Sequence, residues 1–235
     1  MDYGDSIIRL HLNNGVMTVA DDFTPLNQAT LNSEDRDVAS GGVLVLPDQT
    51  SGGHTHLLVQ LGKEGRISVV DRDSMGGYST STDNIVEEIP VNNSGQTNQN
   101  FEVGGLWGMP AFGNNTVYIW GTSDNLKSFP LSSGKISTTP SNTGAQEAGS
   151  PSPTPVISSN GTSSPIVWSV QSDEMCIRDS VGVQRRVNIG YVDRQKGVVF
   201  ANGRAEEQRL LLVQAQRETR EVAALDVEES KLRES

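Results

Sequence analysis

Apolar and polar residues alternate in short runs along most of the chain, and turn-forming residues separate the runs. The clearest example is residues 114–135, in which the run 116–120 (TVYIW) precedes Gly121 and a second half-buried run covers 126–131. Short β-rich runs bounded by Gly, Asn, Asp and Ser are typical of antiparallel hairpins. The pattern therefore predicts strands over most of the chain.

The same unit occurs upstream, where an apolar run at 57–61 is followed by a turn at 62–65 and a second run at 66–70. A short apolar strand that begins with a Gly-Gly pair, at 41–42 and again at 104–105, precedes each of these two hairpins. Self-similarity at a period of several tens of residues is typical of repeat architectures. The positions that correspond at one constant offset are Gly62 and Gly121, Ile67 and Leu126, and Val70 and Phe129.

Two other segments match the unit in part. Residues 7–15 form a weaker copy that ends in a hairpin turn at 13–15 (Asn-Asn-Gly). Residues 155–170 restart the unit, but the pattern stops after a strand at 167–170. The polar segments that we expect to connect the units are 26–40, 77–100 and 138–154.

Composition and charge narrow the class of protein. The chain has 235 residues, a net charge of −11, 24 glycines and 10 prolines, which favours many short strands and turns. The acidic balance leaves no basic surface for nucleic acid and argues against anionic membrane surfaces. No segment reaches the apolar length of a membrane span. Because the chain starts inside a strand pattern, we expect a fragment that lacks its signal peptide.

The character of the sequence changes after residue 173. Residues 1–173 contain 7 basic and 18 acidic residues and all ten prolines, whereas residues 174–235 contain 11 residues of each charge. Residues 175–180 (MCIRDS) resemble an in-frame translation of the transposon-end adapter of sequencing libraries, ATG-TGT-ATA-AGA-GAC-AG, and Glu174 fits the preceding bases. We therefore expect an artefactual junction at 174–180; the alternative is a natural loop.

The tail at 181–235 follows a different pattern from the body. Residues 205–233 lack Gly and Pro and carry a narrow apolar stripe at helical spacing, which predicts an amphipathic helix. A short strand pair is expected within 181–200. If the tail is unrelated to the body, we expect it to make few contacts with residues 1–173. The alternative is a helix that binds a partner.

Several segments of the body resemble the repeats of bacterial exported β-propellers related to pyrroloquinoline-quinone-type and WD40-like repeat proteins. The resemblance covers residues 3–171 and implies an all-β fold, a partial propeller of about three blades within 1–173. Three blades are too few to close a ring of four to eight. It also implies an extracytoplasmic parent protein, periplasmic or secreted. The segments that carry it include YGDSIIRL, SGGVLVLPDQ, HLLVQLGKEGRISVVDRDSMG and GMPAFGNNTVYIWGTSDNLKSFPLSSGKIS.

Candidate chemistry is sparse. His54 and His56 alternate, so they share one face of a strand and could supply two metal ligands. The alternative is a solvated junction between a loop and a strand, because no third ligand follows at a matching spacing. Residues 71–73 (Asp-Arg-Asp) suit a turn better than a calcium loop. We expect Trp107, Trp120 and Trp168 to be core or blade-interface residues rather than stacking platforms.

The sequence favours two functions without deciding between them. The first is a non-catalytic extracytoplasmic module without a cofactor, whose loops bind a protein or carbohydrate, because no pair of nucleophile and base stands out. The alternative is a fragment of a quinoprotein-like dehydrogenase that holds pyrroloquinoline quinone with calcium. The adjacent cysteine pair and the acidic calcium-ligand pattern expected of such enzymes are not found.

Overall fold

The computed structural model places most of the body and two short parts of the tail. Only the backbone is described at 163–164, 189–193 and 197–201. The expected junction at 174–180 and the predicted helix at 205–233 lie outside the described residues. The ranges that the structure describes are 3–89, 103–161, 163–171, 189–193 and 197–201.

Strands dominate the described residues, as the alternating pattern predicts. Within the described part of the chain, helix is limited to α1 (Gln28–Ser33) and a single 3-10 turn at Val38–Ser40. In chain order the strands are β1 (Ile7–Asn13), β2 (Val16–Thr24), β3 (Leu44–Val45), β4 (Leu57–Gln60), β5 (Ile67–Asp71), β6 (Gly77–Tyr78), β7 (Glu87–Ile89), β8 (Ala111–Gly113), β9 (Thr116–Ile119), β10 (Asn125–Ser132), β11 (Lys135–Ile136), β12 (Asn142–Glu147), β13 (Val156–Asn160), β14 (Ser163–Trp168), β15 (Ile189–Asp193) and β16 (Gly197–Ala201).

These strands form four sheets that follow one another along the chain, except that β6 of the first sheet lies between β5 and β7 of the second. Sheet I has the order β1-β2-β6, and its β6 lies parallel to β2. Sheet II (β3-β4-β5-β7), sheet III (β8-β9-β10-β12) and sheet IV (β13-β14-β15-β16) are four-stranded antiparallel meanders. In sheet III, β11 also pairs with the end of β10. Within sheet II the chain passes through β6 between β5 and β7, and within sheet III it passes through β11 between β10 and β12.

The four sheets pack face to face in the order I, II, III, IV. Odd-numbered residues of β4 and β5 face sheet III, whereas Leu58 and Val70 face sheet I. In β9, Val117 and Ile119 face sheet II, and Tyr118 faces sheet IV. Alternate residues point to opposite faces of a strand, so sheets II and III bury both faces. The core between sheets II and III contains Leu46, Leu57, Val59, Leu61, Ile67, Val69, Ile89, Val103, Leu106, Val117, Ile119, Phe129, Leu131 and Ile136.

The Gly-Gly pairs lie where a connector crosses the turn of a hairpin. A Cβ atom on Gly121 would overlap the carbonyl oxygen of Gly104, and Thr122 N–H donates to the Gly105 carbonyl oxygen at 2.8 Å. Gly41 approaches the backbone at the end of β4 just as closely. At these positions the two backbones touch, so only a residue without a side chain fits.

Two connectors differ from expectation. The segment 138–154, which we expect only to connect two units, contains β12, which pairs with β10. Most of β12 is exposed, so it has no apolar alternation to mark it in the sequence. The segment 26–40 contains α1, whose Leu31 is buried. The hairpin turn at Asn14-Gly15 is confirmed, with φ of 49° and 80°.

The described part of the tail forms the strand pair expected within 181–200. β15 and β16 are antiparallel, and Ile189 pairs with Trp168 of β14. This hairpin therefore extends sheet IV, although we expected few contacts between tail and body. No helix of the described residues is long and apolar enough to cross a membrane.

We predict that Gly121→Ala lowers the free energy of unfolding by about 2 kcal/mol or more, because the methyl group meets rigid backbone. Gly113→Ala is the matched control, since its methyl group would meet the side chain of Ile157, which can move. Urea denaturation of the two variants measures the difference. Equal losses would contradict the close backbone approach at Gly121.

Candidate functional site

The sequence candidates His54 and His56 lie at the end of sheet II where β4 begins and β5 ends. The register of this hairpin brings β5 beside the loop that carries both histidines. His54 Nδ1 lies 2.7 Å from Asp71 Oδ2, and His56 Nδ1 lies 2.7 Å from Asp73 Oδ2. Each imidazole is thus held by its own carboxylate.

A third carboxylate joins the group from the loop between β3 and β4. Asp48 Oδ1 lies 3.7 Å from His56 Nε2 and 3.8 Å from Arg72 Nη2. We call the five residues His54, His56, Asp48, Asp71 and Asp73 the histidine-aspartate cluster. The two histidine side chains are 42% and 39% exposed, so a ligand in solution could reach them.

The hydrogen bonds define what the cluster can do chemically. A neutral imidazole that donates Nδ1–H to a carboxylate keeps Nε2 as an acceptor or metal ligand. However, no three His, Cys, Asp or Glu side chains among the described residues are arranged to hold a metal ion. The pair His54 and His56 therefore stays a weak metal candidate, and hydrogen bonding to a polar ligand suits the geometry better.

The pKa of Asp71 lies below its ordinary value of 3.8. Partial burial alone would raise this pKa, but the hydrogen bonds from His54 and from the Asp73 backbone N–H lower it by more. The charges of the two histidines act in the same direction. Asp71 therefore remains ionised and can accept hydrogen bonds.

A second group of charges is buried at the other end of sheet II. Arg66 is 5% exposed, and its guanidinium lies 3.0 Å from Glu64 and 2.8 Å from Glu88. It also donates to the Asn27 side-chain oxygen at 2.8 Å, which ties the start of α1 to the sheet. Asp83 Oδ2 lies 3.6 Å from the same guanidinium. One cation thus faces three carboxylates, an arrangement that is costly to desolvate.

Of the three carboxylates that face Arg66, that of Asp83 has the least favourable surroundings. Its side chain is 1% exposed, Oδ1 accepts from Leu26 N–H, and Oδ2 has no hydrogen-bond partner. Burial raises the pKa of Asp83, and the neighbouring charge of Glu88 raises it further. Burial likewise raises the pKa of Glu64. Protonation of these carboxyls therefore relieves the excess negative charge.

The tryptophans differ in their surroundings. Trp120 is 1% exposed, as expected of a core residue, and its Nε1–H donates to the Asp124 carbonyl oxygen at 3.0 Å. Trp168 is half-buried and donates to Ser158 Oγ at 2.6 Å. Trp107 is 41% exposed, so it is not a core residue. It lies in the connector between sheets II and III, where the sequence predicts a short apolar strand after Gly104-Gly105 but the structure has none before β8.

Comparisons with known proteins give no match: no family model, no curated protein and no solved structure matches the chain.

We predict that His54→Ala raises the pKa of Asp71, because it removes the strongest hydrogen bond that lowers this pKa. Carboxyl-detected NMR titration of wild type and variant measures the change. Ser51→Ala, in the same loop, is the control and should leave the pKa of Asp71 unchanged. An unchanged Asp71 titration in His54→Ala would show that the two side chains do not pair.

We predict that the free energy of unfolding of wild type, minus that of Asp83→Asn, falls as pH rises. The folded state holds the Asp83 proton more tightly than the unfolded chain does. This contribution is therefore complete below the unfolded value near 3.8 and is lost as pH rises through the higher folded pKa. Urea denaturation at pH values from 4 to 7 measures this difference in free energy of unfolding. A raised carboxyl pKa lies in about this range. A difference that does not change with pH would contradict the raised pKa of Asp83. Ser81→Ala is the control.

Proposed function

We propose that residues 1–173 are part of a β-propeller and that they act as a non-catalytic, extracytoplasmic binding or scaffold module. The observation that carries this proposal is the succession of four-stranded antiparallel meanders, sheets II, III and IV, packed face to face. Radial repetition of such sheets is how propellers are built. If the tail at 181–235 is unrelated, β15 and β16 occupy the place of the missing half of the last unit.

The histidine-aspartate cluster supports a binding role. It lies at the strand ends, where loops rather than strands set the surface, and it offers both imidazole and carboxylate groups to solvent. These groups suit the hydroxyls of a carbohydrate or the amide and basic groups of a protein. Among the described residues, the two imidazoles hydrogen-bond to carboxylates and to no hydroxyl or thiol, which supports binding over nucleophilic catalysis.

We predict that the full chain binds either an oligosaccharide or a peptide. The double change Asp71→Asn and Asp73→Asn should weaken this binding about tenfold, because it removes two carboxylates that accept hydrogen bonds from the ligand. Biolayer interferometry against a panel of neutral oligosaccharides and a panel of basic peptides measures this and separates the two ligand classes. Asp35→Asn is the matched control, since Asp35 is exposed at the opposite end of sheet II, beside Lys63.

Two outcomes would contradict the proposal. The first is that binding to both panels is absent or unaffected by the double change. The second is reduction of a dye, with alcohols or sugars as donors, after pyrroloquinoline quinone and calcium are added to the chain. That result would favour a quinoprotein-like dehydrogenase instead.

A further inference from the structure

The segment 25–33, which contains α1, packs on sheet II with little apolar contact. α1 has six residues, and Leu31 is its one buried residue. Leu31 belongs to none of the three apolar cores between the sheets. Pro25 and Leu31 line a small cavity of about 10 Å³, whose other walls include Gln60 and Ser68 of sheet II. Polar contacts must therefore supply much of the attachment of this segment.

Those polar contacts converge on one group of buried charges, which we call the Arg66 cluster. Its members are Arg66, Glu64, Glu88 and Asp83. Leu26 N–H donates to Asp83 Oδ1 at 2.6 Å. Asn27 Oδ1 accepts from Arg66 Nη2 at 2.8 Å, and Asn27 Nδ2 donates to Glu64 at 3.3 Å. Asn27 precedes α1 but makes no side-chain capping bond to it. The start of the helix thus depends on the cluster.

The cluster holds more negative than positive charge. Its four side chains are at most 7% exposed, and one guanidinium faces three carboxylates. Asp83 Oδ2 has no hydrogen-bond partner and lies 3.6 Å from Arg66 Nη1, which donates to Glu88 at 2.8 Å. A proton on Asp83 Oδ2 removes one of the three charges and breaks none of these hydrogen bonds. Loss of that proton leaves an uncompensated charge away from water.

The charge balance at Asp83 is set inside the cluster. Within the described residues, Arg66 and Glu88 are the charged groups that act on Asp83. Arg36, in the loop after α1, acts on Glu64 instead. The neighbour of Glu88 along β7 points to the opposite face of the strand, where its carboxylate accepts a backbone N–H of β11. Neither of these groups offsets the charge of Asp83.

We propose that the Arg66 cluster is a pH-sensitive latch for the segment 25–33. With a proton on Asp83 the latch is closed and α1 lies on sheet II. When pH rises and the proton leaves, the segment detaches locally and water reaches the buried charges, while the core between sheets II and III stays intact. This latch lies at the opposite end of sheet II from the histidine-aspartate cluster and does not depend on the proposed function.

The direction of the pH effect follows from burial. Burial raises the pKa of Asp83, so the closed state holds the proton more tightly than the open state does. The stabilisation of the closed state is therefore complete below the ordinary value of 3.8. It is lost as pH rises through the higher pKa of the closed state.

Hydrogen exchange of single amides, followed by NMR from about pH 4 to pH 7, tests the latch. The protection factor is the ratio of the exchange rate in an unstructured peptide to the measured rate, so the pH dependence of the exchange reaction cancels. The amides of Leu26 and Leu31 both donate hydrogen bonds that opening breaks. Their protection factors should lie below those of β9 and β10. They should fall by up to about tenfold per pH unit, because one proton is linked to opening.

Two further readouts in wild type need no variant. Low concentrations of urea should leave the protection of Leu26 and Leu31 nearly unchanged, because local opening exposes little surface. The fall in protection should level off at the pH where the carboxyl carbon of Asp83 titrates.

Asp83→Asn keeps an oxygen that accepts from Leu26 N–H but cannot ionise. Its protection factors at Leu26 and Leu31 should vary by less than about twofold over the same pH range. Asp35→Asn is the matched control, because it makes the same chemical change at a carboxylate that is 87% exposed in the loop after α1. It should retain the pH dependence of wild type. Circular dichroism confirms that both variants are folded.

Three results would overturn the latch. Protection in wild type that does not change with pH would mean that no proton is linked to opening. A pH dependence that persists in full in Asp83→Asn would place the linked proton on another group. Protection of Leu26 and Leu31 equal to that of β9 and β10, with the same urea dependence, would mean that the segment opens only when the whole molecule unfolds.

Discussion

The contact between sheets II and III is the interaction on which the rest of the structure depends. Its core contains fourteen buried apolar residues drawn from both sheets and from the connector between them. Each fully buried Leu, Ile or Val contributes about 1.5–3 kcal/mol, so this core is the main source of stability in the described residues. Sheet I packs on the other face of sheet II, and sheet IV packs on the other face of sheet III. The positions of both therefore follow from the contact between sheets II and III.

This arrangement requires the connectors between successive sheets to cross the hairpin turns at close range. Where the connector meets the turn of a hairpin, the glycines let two backbones touch, so the connector can pass directly over the turn. The sequence shows this requirement directly, because Gly62 and Gly121 occupy corresponding positions in the repeated unit. The hairpins, their turns and the all-β character could be predicted for the same reason.

Features that depend on distant residues could not be predicted. β12 pairs through its backbone and is mostly exposed, so its sequence carries no apolar alternation. Arg66 contacts Asn27 and Glu88, which are far from it in the sequence, and no local pattern connects them. The histidine-aspartate pairs are an intermediate case. The register of the β4–β5 hairpin, which places Leu57 opposite Asp71, brings both pairs together and can be derived from the turn at Gly62.

Hydrogen exchange of the full chain, followed by NMR or mass spectrometry, tests the stack of sheets most directly. If sheets II and III share one core, the amides of β4, β5, β9 and β10 should be the most protected and should open with the same free energy. If the sheets were separate units, β4 and β5 would exchange with a different opening free energy from β9 and β10. That result would contradict the account.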